Sequence, residues 1–458
     1  MPLTAGPRPA RVPLSFAQQR LWDLHQLDPG YPAFHERRAA RIRGAADVGI
    51  LQAALADVIA RHESLRSVFR ADSADGVPYQ QILEPAEISA QIVPEPCPAA
   101  ELAGRLAELA TRAFDLAAGP LLRVRLLRIV PGDQEYVLAM VMHRAVADGA
   151  SFQLLVRDLV HAYAARHHGR EPQWAPLPVQ YADYALWQRA VVGDVVEEGP
   201  LARRADYWRS VLQDMPAQIA LPYDGPRPAR ATNRGGSVEI PVDDELYRGM
   251  LRLARQHDAT AFMVWQAGVA ALLEGLGAGT RIPLLTPVTE RADDKTAGLI
   301  GPFTDELVLC VDSSGDPSFG ELVTRVRAVA VSGYAHRGVP VAYLADKLRP
   351  GRPFACQVMA DQLVTGDYQA PPSIPGLSMA AEPWPDPSAG PDLDFDFGEQ
   401  DSRARAIAIL LYNADLFTES RAQALVSRLV RLLGAGVSDP ARPLSVVAKM
   451  IESPQEES

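Results

Sequence analysis

The stretch that decides the fold is Tyr136–Gly149, with the sequence YVLAMVMHRAVADG. Its first part, Tyr136–Met142, is almost wholly apolar and therefore predicts a central strand that is buried on both faces. The second part is a polar loop, and the apolar residues after it recur at helical spacing. The pattern predicts a buried strand that delivers polar side chains into the entrance of a helix.

The loop places His143, Arg144 and Asp148 at the end of this strand. Strand ends that face a crevice are where α/β proteins often position their chemistry. Gly149 permits a tight turn at the start of the next helix, for which Ser151 is the predicted N-cap. One histidine and one aspartate at a strand end are structural more often than catalytic, so the spacing leaves both interpretations open.

The flanking regions predict alternating helices and strands. Helices are expected at Leu14–Leu27 (opened by Ser15), Val48–His62, Thr260–Leu276 and Arg421–Leu433. Further strands are expected at Leu121–Ile129, Arg281–Pro287, Leu307–Val311 and Ile407–Tyr412. The proline-bearing stretch Gly169–Pro178 predicts a join between two lobes. We therefore expect an α/β protein with lobes at 1–175 and 176–450 and a linker end at 451–458.

Composition narrows the class of protein. Of the 458 residues, 48% are hydrophobic and 22% are charged, which is typical of a folded protein with a large core. Acidic residues outnumber basic ones by 56 to 45, for a formal net charge of −11. We expect no nucleic-acid partner, because binding phosphates requires a basic surface.

Cysteine usage and apolar runs indicate a cytoplasmic protein. Cys97, Cys310 and Cys356 are too scattered for a disulfide framework or a CxxC metal site. Met1–Arg11 lacks the apolar core of a signal peptide, and no apolar run reaches the length of about 18 residues that suggests a membrane span. We also expect no cofactor, because the chain has neither a P-loop nor a GxGxxG motif.

Two polar groupings resemble metal sites only superficially. A calcium loop that starts at Asp392 would need glycine at its sixth position and glutamate at its twelfth, where this chain has Phe397 and Arg403. The alternation of Asp392, Asp394 and Asp396 with apolar residues instead predicts an edge strand with an acidic outer face. His161, His167 and His168 have no further ligand at a fixed spacing. No metal site is expected.

The loop after the strand resembles the HHxxxDG signature of the condensation-domain family of nonribosomal peptide synthetases. Other stretches resemble the family's motifs in the same order: Leu14–Trp22, Arg61–Phe69, Tyr181–Arg189, Pro287–Phe303, Arg352–Met359 and Tyr412–Phe417. This resemblance implies an α/β, V-shaped pseudo-dimer of two lobes, each like chloramphenicol acetyltransferase.

The signature departs from the family pattern at its second position. There the family has a histidine that is the candidate base, or positioner, for the attacking amine, whereas this chain has Arg144. An arginine stays protonated and has no acceptor nitrogen, so it cannot take up a proton. The resemblance implies that His143 is a packing residue. It also implies that Asp148 forms a structural pair with Arg291.

Two other motifs have changed as well. Asp305 and Glu306 replace the usual Asn-Thr, and Pro340-Val341-Ala342 replaces Pro-Phe-Glu. Together with Arg144, these changes suggest that selection for condensation has relaxed.

The resemblance implies two competing functions. The degenerate centre (His143, Arg144, Asp148 and Gly149) resembles that of the X-domain of glycopeptide-antibiotic synthetases, which has HR in place of HH and does not condense peptides. Such a domain, next to carrier-protein and thioesterase domains, recruits cytochrome P-450 (Oxy) monooxygenases that crosslink aromatic side chains of the carrier-bound peptide. The alternative is a catalytic condensation or epimerisation domain with an altered centre. A pseudo-dimer needs no second copy, so we expect a monomer.

Overall fold

The strand predicted at Tyr136–Met142 lies at the centre of a sheet in the computed structural model. The structure describes residues 2–29, 34–72, 76–88, 91–132, 134–193, 202–228, 232, 234–291, 293–341, 344–345, 356–363, 374, 376–384, 390–400 and 405–452. The chain forms two compact units. Unit 1 comprises Met1–Asp194, Thr289–Thr304 and Tyr368–Asp386, and unit 2 comprises Val195–Val288, Asp305–Asp367 and Pro387–Ser458.

Unit 1 contains helices and strands in alternation. Its helices are α1 (Phe16–Leu27), α2 (Val48–Arg61), α3 (Leu102–Thr111), α4 (Gly149–His167) and α5 (Tyr181–Val192), with 3₁₀ turns at Glu63–Arg66, Pro85–Glu87 and Ala99–Glu101. Its strands are β1 (Val12–Pro13), β2 (His35–Arg43), β3 (Ser67–Ala71), β4 (Pro78–Ile82), β5 (Pro94–Pro98), β6 (Leu122–Val130), β7 (Glu135–His143) and β13 (Ser378–Glu382).

The main sheet of unit 1 has the strand order β13-β2-β7-β6-β5, and a smaller sheet has the order β1-β4-β3. Strand β7 pairs antiparallel with both β2 and β6. Leu138 and Met140 pack on the side of α2 and α4, while Val137 and Val141 pack on the side of α3. The prediction of a central strand buried on both faces is confirmed, because helices cover both sides of the sheet.

Unit 2 has one sheet and a layer of helices. The helices are α6 (Ala202–Asp214), α7 (Asp244–Gln256), α8 (Ala261–Gly275), α9 (Phe319–Ala335), α10 (Glu419–Ser438) and α11 (Leu444–Glu452). The strands are β8 (Gly235–Glu239), β9 (Arg281–Thr289), β10 (Thr304–Asp312), β11 (Val358–Met359), β12 (Gln362–Leu363), β14 (Leu393–Gln400) and β15 (Arg405–Asn413). The strand order is β10-β9-β11-β14-β15-β8, and β12 also pairs with β14. Helix α8 is buried in the core of this unit along almost its whole length.

The helix cap predicted from the sequence is confirmed for α1 but not for α4, and no cap was predicted for α8. Ser15 caps α1 in a capping box with Gln18, and Thr260 caps α8. Ser151 was the predicted cap of α4, but Asp148 holds that position and accepts a hydrogen bond from the Ser151 N–H at 2.9 Å. The prediction was wrong because an aspartate three residues upstream can form the same type of cap, with Ser151 completing the capping box.

The boundary between the units differs from the predicted lobes. Unit 1 continues through the proline-bearing stretch to Asp194. It also includes two later segments of the chain, Thr289–Thr304 and Tyr368–Asp386. Helix α5 belongs to unit 1 because Arg8 donates hydrogen bonds to both Asp183 and Glu63, and because the Tyr181 hydroxyl contacts Ser15 Oγ at 2.8 Å. Proline content marked an irregular segment, but long-range contacts determine which unit the segment joins.

The end of the chain also differs from the prediction. Helix α11 follows α10 and runs to Glu452, inside the linker end predicted at 451–458. Leu444 and Val447 of α11 are buried in the core of unit 2. Residues 453–458, the rest of the predicted linker end, lie outside the described residues.

Strand β14 is not the predicted edge strand. It lies between β11 and β15, and Asp392 and Asp396 are 5% and 7% exposed. Arg227 and the Tyr223 hydroxyl both donate hydrogen bonds to Asp392. The alternation of aspartates with apolar residues predicted an edge strand with a solvent-exposed acidic face. In the structure the strand is paired on both sides, and the carboxyl groups of Asp392 and Asp396 are buried.

Candidate functional site

The strand end singled out in the sequence is built by the register of β2 and β7. His35 lies opposite His143, and Glu36 lies opposite Met142. The turn at residues 144–148 then leads into α4. The geometry therefore places side chains from β2 next to the HRxxxDG loop.

His143 is completely buried. Its Nδ1 accepts a hydrogen bond from the Ala145 N–H at 3.1 Å, so Nε2 carries the ring proton of the neutral imidazole. Nε2 has no hydrogen-bond partner in the part of the chain that the structure describes. Four aromatic rings surround His143 at centroid distances of 5.3 to 6.0 Å, namely those of His25, Phe34, His35 and Phe114.

Burial governs the charge state of this ring cluster. It lowers the pKa of His143 well below its usual value, and the neighbouring His35 and His25 imidazoles lower it further. Burial also lowers the pKa of His35 to about 4 and that of His25 in the same direction. All three imidazoles are therefore neutral at pH 7, and His143 is enclosed by packing on every side.

Arg144 has a partly solvent-exposed side chain, whereas the side chains of His143 and Asp148 are buried. Its side chain is 39% exposed, and its Nε lies 3.3 Å from Glu36 Oε1. Its backbone N–H donates to the Phe34 carbonyl at 2.7 Å, which fixes the start of the turn. The group presented at the end of β7 is thus a guanidinium held by a carboxylate, which can donate hydrogen bonds but cannot accept a proton.

Asp148 and Arg291, singled out as a pair in the sequence, are in contact. Arg291 Nη2 donates to Asp148 Oδ1 at 2.8 Å, and both side chains are less than 10% exposed. Asp148 also accepts hydrogen bonds from Ser151 Oγ at 2.7 Å and from the Phe303 N–H at 3.1 Å. The carboxylate holds the start of α4 against the segment 289–304 of unit 1.

Arg291 makes further contacts within the same segment. It donates to the carbonyls of Thr296, Leu299 and Gly301, and its guanidinium carbon lies 4.3 Å from the centroid of the Phe303 ring. The pair of Asp148 and Arg291 therefore fastens the segment 289–304 to the end of β7 and the start of α4. Both charged groups are engaged in hydrogen bonds within unit 1.

Gly149 does not use the conformational freedom for which the sequence singled it out. It has no positive φ, and a Cβ placed on it would meet no atom within 4 Å. The entrance of α4 is stabilised by the Asp148 cap and does not depend on glycine. Because the space around position 149 is open, a side chain is sterically tolerated there.

The remaining motif positions lie elsewhere. Asp305 and Glu306 are in β10, and Val341 is fully buried. Ala342 and the stretch Arg352–Phe354 lie outside the described residues, so their predicted place in the family motifs stays a prediction.

Sequence reasoning missed Glu36 and the two histidines around His143. The pattern HERR at His35–Arg38 signals only a charged strand start, and strand pairing across about a hundred residues brings it to Arg144. The position of Glu36 at the start of a half-buried strand is the only feature of the sequence that could have indicated its role.

Sequence reasoning also missed the contact between the carboxyl groups of Asp394 and Asp396 in β14. Burial, together with the neighbouring carboxylates of Asp394 and Asp361, raises the pKa of Asp396 and so favours its protonated form. Its Oδ1 has no hydrogen-bond partner among the described residues. No group of three metal-ligating side chains occurs in the described ranges, and no helix within those ranges is long and apolar enough to span a bilayer.

The chain is similar to proteins of one family. The model of the condensation domain matches residues 10–457. A probable non-canonical nonribosomal peptide synthetase, CymA, of Salinispora arenicola is 41% identical over 461 residues, which cover 100% of this chain and 6% of that protein. A dimodular nonribosomal peptide synthase of Bacillus subtilis is 41% identical over 96% of this chain and 18% of its own length. The chain therefore spans less than a fifth of either relative.

Two solved structures are similar over nearly their full length. The X-domain from teicoplanin biosynthesis is 32% identical with a TM-score of 0.89, covering 97% of this chain and 99% of that one. The same identity and TM-score hold for the complex of the X-domain and OxyB from teicoplanin biosynthesis, with 98% coverage of both chains. The mixed α/β architecture matches this structural class.

Proposed function

Because the chain belongs to the condensation-domain family, with its chloramphenicol-acetyltransferase-like fold, we propose that it is a non-catalytic member that recruits cytochrome P-450 oxygenases. The oxygenases would act on a peptide held by an adjacent carrier protein in a nonribosomal peptide synthetase, crosslinking its aromatic side chains during glycopeptide-antibiotic synthesis. The proposal places the domain in the cytoplasm, in agreement with its three free cysteines.

The observation that carries the proposal is the guanidinium of Arg144 at the end of β7. It pairs with Glu36, and His143 is buried among aromatic rings. A positioned general base contributes about 10²–10⁴-fold to a rate, and neither side chain can provide one here: the first has no acceptor and the second is enclosed.

The structural relatives support recruitment rather than condensation. The X-domain from teicoplanin biosynthesis is 32% identical to this chain over nearly its whole length, and one of the similar structures is a complex of the X-domain with OxyB. A domain of 458 residues provides room for an interface of standard size, about 800 Å² per partner. Tethering beside the carrier protein raises the effective concentration of the oxygenase, so modest affinity is sufficient.

A binding experiment tests this proposal. The purified domain would be titrated with OxyB from teicoplanin biosynthesis by calorimetry and analysed by size-exclusion chromatography, with the first condensation domain of the calcium-dependent antibiotic synthetase as the control. We expect a one-to-one complex with the domain and none with the control. No complex at tens of micromolar, or equal binding by the control, would count against recruitment.

The 41% identity to two synthetases favours a second candidate, a condensation (or epimerisation) domain with an altered centre. Such a domain would rely on proximity, which can supply several kcal/mol of a barrier without a base. Supplying two loaded carrier proteins and detecting product by mass spectrometry distinguishes the candidates. Turnover that is lost in an Arg144→Ala variant would establish this second function.

A further inference from the structure

A cavity of about 330 Å³ lies in unit 2 at the carboxyl end of α8. Its size is at the lower end of the range for small-molecule sites, about 300–1,000 Å³. Apolar side chains from three helices form one side of its wall: Ala271, Leu432, Leu444, Val447 and Ala448. These three helices therefore supply the apolar part of the wall.

The wall of the same cavity also contains anionic groups. Glu274 and Asp316 both line it, together with Gly275 at the end of α8. Glu274 Oε2 is buried and has no hydrogen-bond partner among the described residues. The last turn of a helix carries partial negative charge on its carbonyl groups, which disfavours a carboxylate at this position.

The charges that face Glu274 do not neutralise it. The Ser313 hydroxyl donates to the Thr280 carbonyl at 3.2 Å, while Arg325 donates its own bonds to the carbonyls of Asp312 and Ser314. Burial, the largest influence, raises the pKa of Glu274, and the Asp316 carboxylate raises it further. A half-buried carboxylate with one oxygen enclosed and unpaired is retained at a cost in stability unless a positively charged group compensates for it.

The other nearby charged groups interact mainly with other partners. Asp316 accepts hydrogen bonds from the backbone N–H and the hydroxyl of Ser445, which lower its pKa, and the charge of Lys449 lowers it further. Arg428 donates to the Gly275 carbonyl at 3.2 Å. The carboxylate of Glu274 is the group in this wall whose second oxygen lacks a donor within the described residues.

We propose that this cavity binds a primary ammonium group carried on a short apolar stem. The ammonium would donate to Glu274 and lie near the carbonyls at the end of α8, and the stem would pack on Leu432, Leu444 and Val447. The last side-chain torsion of a glutamate is broad, so the buried oxygen turns toward the cavity at little cost. The ligand is either a free alkylamine or a lysine side chain of another polypeptide, because both share this chemistry.

Ligand-observed NMR and calorimetry with n-butylammonium and with Nα-acetyl-lysine N-methylamide test the proposal at pH 8. We expect saturable binding of at least one of them. Binding of both indicates any alkylammonium, and binding of the lysine amide alone indicates a polypeptide source. The uncharged n-butanol is the ligand control and should not saturate. No saturable binding of either amine at about 50 mM, a concentration of the order expected for weak single-site ligands, overturns the proposal.

Variants locate the site. Glu274→Gln keeps the shape and removes the charge, and should weaken binding about tenfold or more, as the loss of a charge-assisted hydrogen bond predicts. Ala448→Leu fills the cavity without altering charge and should have a similar effect, which keeps the test valid if the first variant folds poorly. Glu245→Gln, an exposed acid on α7, is the matched control. Unchanged affinity in both cavity variants refutes the assignment.

Discussion

At the scale of single residues, Asp148 joins three parts of unit 1. Its carboxylate caps α4, pairs with Arg291 and accepts the Phe303 N–H. We propose that its role is structural. Asp148→Ala should lower the free energy of unfolding by about 3–5 kcal/mol, because it leaves a buried guanidinium without its partner. Chemical denaturation measures the loss.

Asp148→Asn is the matched control for this change. The amide oxygen preserves the cap and the shape but not the charge, so the loss should be smaller than for alanine. An alanine variant as stable as the wild type would contradict a structural role for the pair.

Arg144 raises a separate question at the same scale. Arg144→His restores a proton acceptor beside Glu36, yet we expect no recovery of peptide-bond formation, because Asp305, Glu306 and Val341 depart from the family pattern as well. The assay supplies two loaded carrier proteins and detects product by mass spectrometry. A gain of about 10²-fold or more, the usual contribution of a general base, would contradict this expectation and show that Arg144 alone limits peptide-bond formation.

At the scale of elements, β2, α1 and β7 each bring one imidazole into a cluster around His143. The pKa of His35 is lowered to about 4 by burial, and those of His25 and His143 are lowered as well. In the unfolded chain a histidine titrates near pH 6.5. The unfolded state therefore binds more protons than the folded state between about pH 6.5 and 4.

Stability should accordingly fall as the pH drops through this window and be fully retained above it. His35 contributes up to about 3 kcal/mol to this loss, because each tenfold weakening of proton binding corresponds to about 1.4 kcal/mol. Denaturation curves at pH 7.5, 6, 5 and 4.5 check the prediction. His168→Asn, at the exposed end of α4, is the control and should leave the slope unchanged, whereas a flat profile for the wild type would contradict the buried cluster.

At the scale of the whole molecule, we propose that units 1 and 2 are the two acetyltransferase-like lobes that the family resemblance implies. Each has its own sheet and its own hydrophobic core. A chain that already contains two lobes has its cores filled internally, so we expect a monomer of 49.6 kDa. Light scattering coupled to size-exclusion chromatography measures the mass, and a stable dimer at micromolar concentration would contradict this expectation.

Local patterns in the sequence determined a large part of this protein. The apolar run of β7, the N-cap of α1 and the HRxxxDG loop depend on neighbours a few residues apart, so they can be predicted without a structure. The family, and the loss of the histidine at position 144, follow from motifs of the same local kind.

Only the tertiary structure decided what depends on contacts between distant parts of the chain. Strand register places Glu36 beside Arg144, pairing on both sides buries Asp396 in β14, and long-range packing assigns α5 to unit 1. The physical reason is that hydrophobic periodicity states which face of an element is buried, whereas the partner that buries it is chosen by the packing of the whole chain.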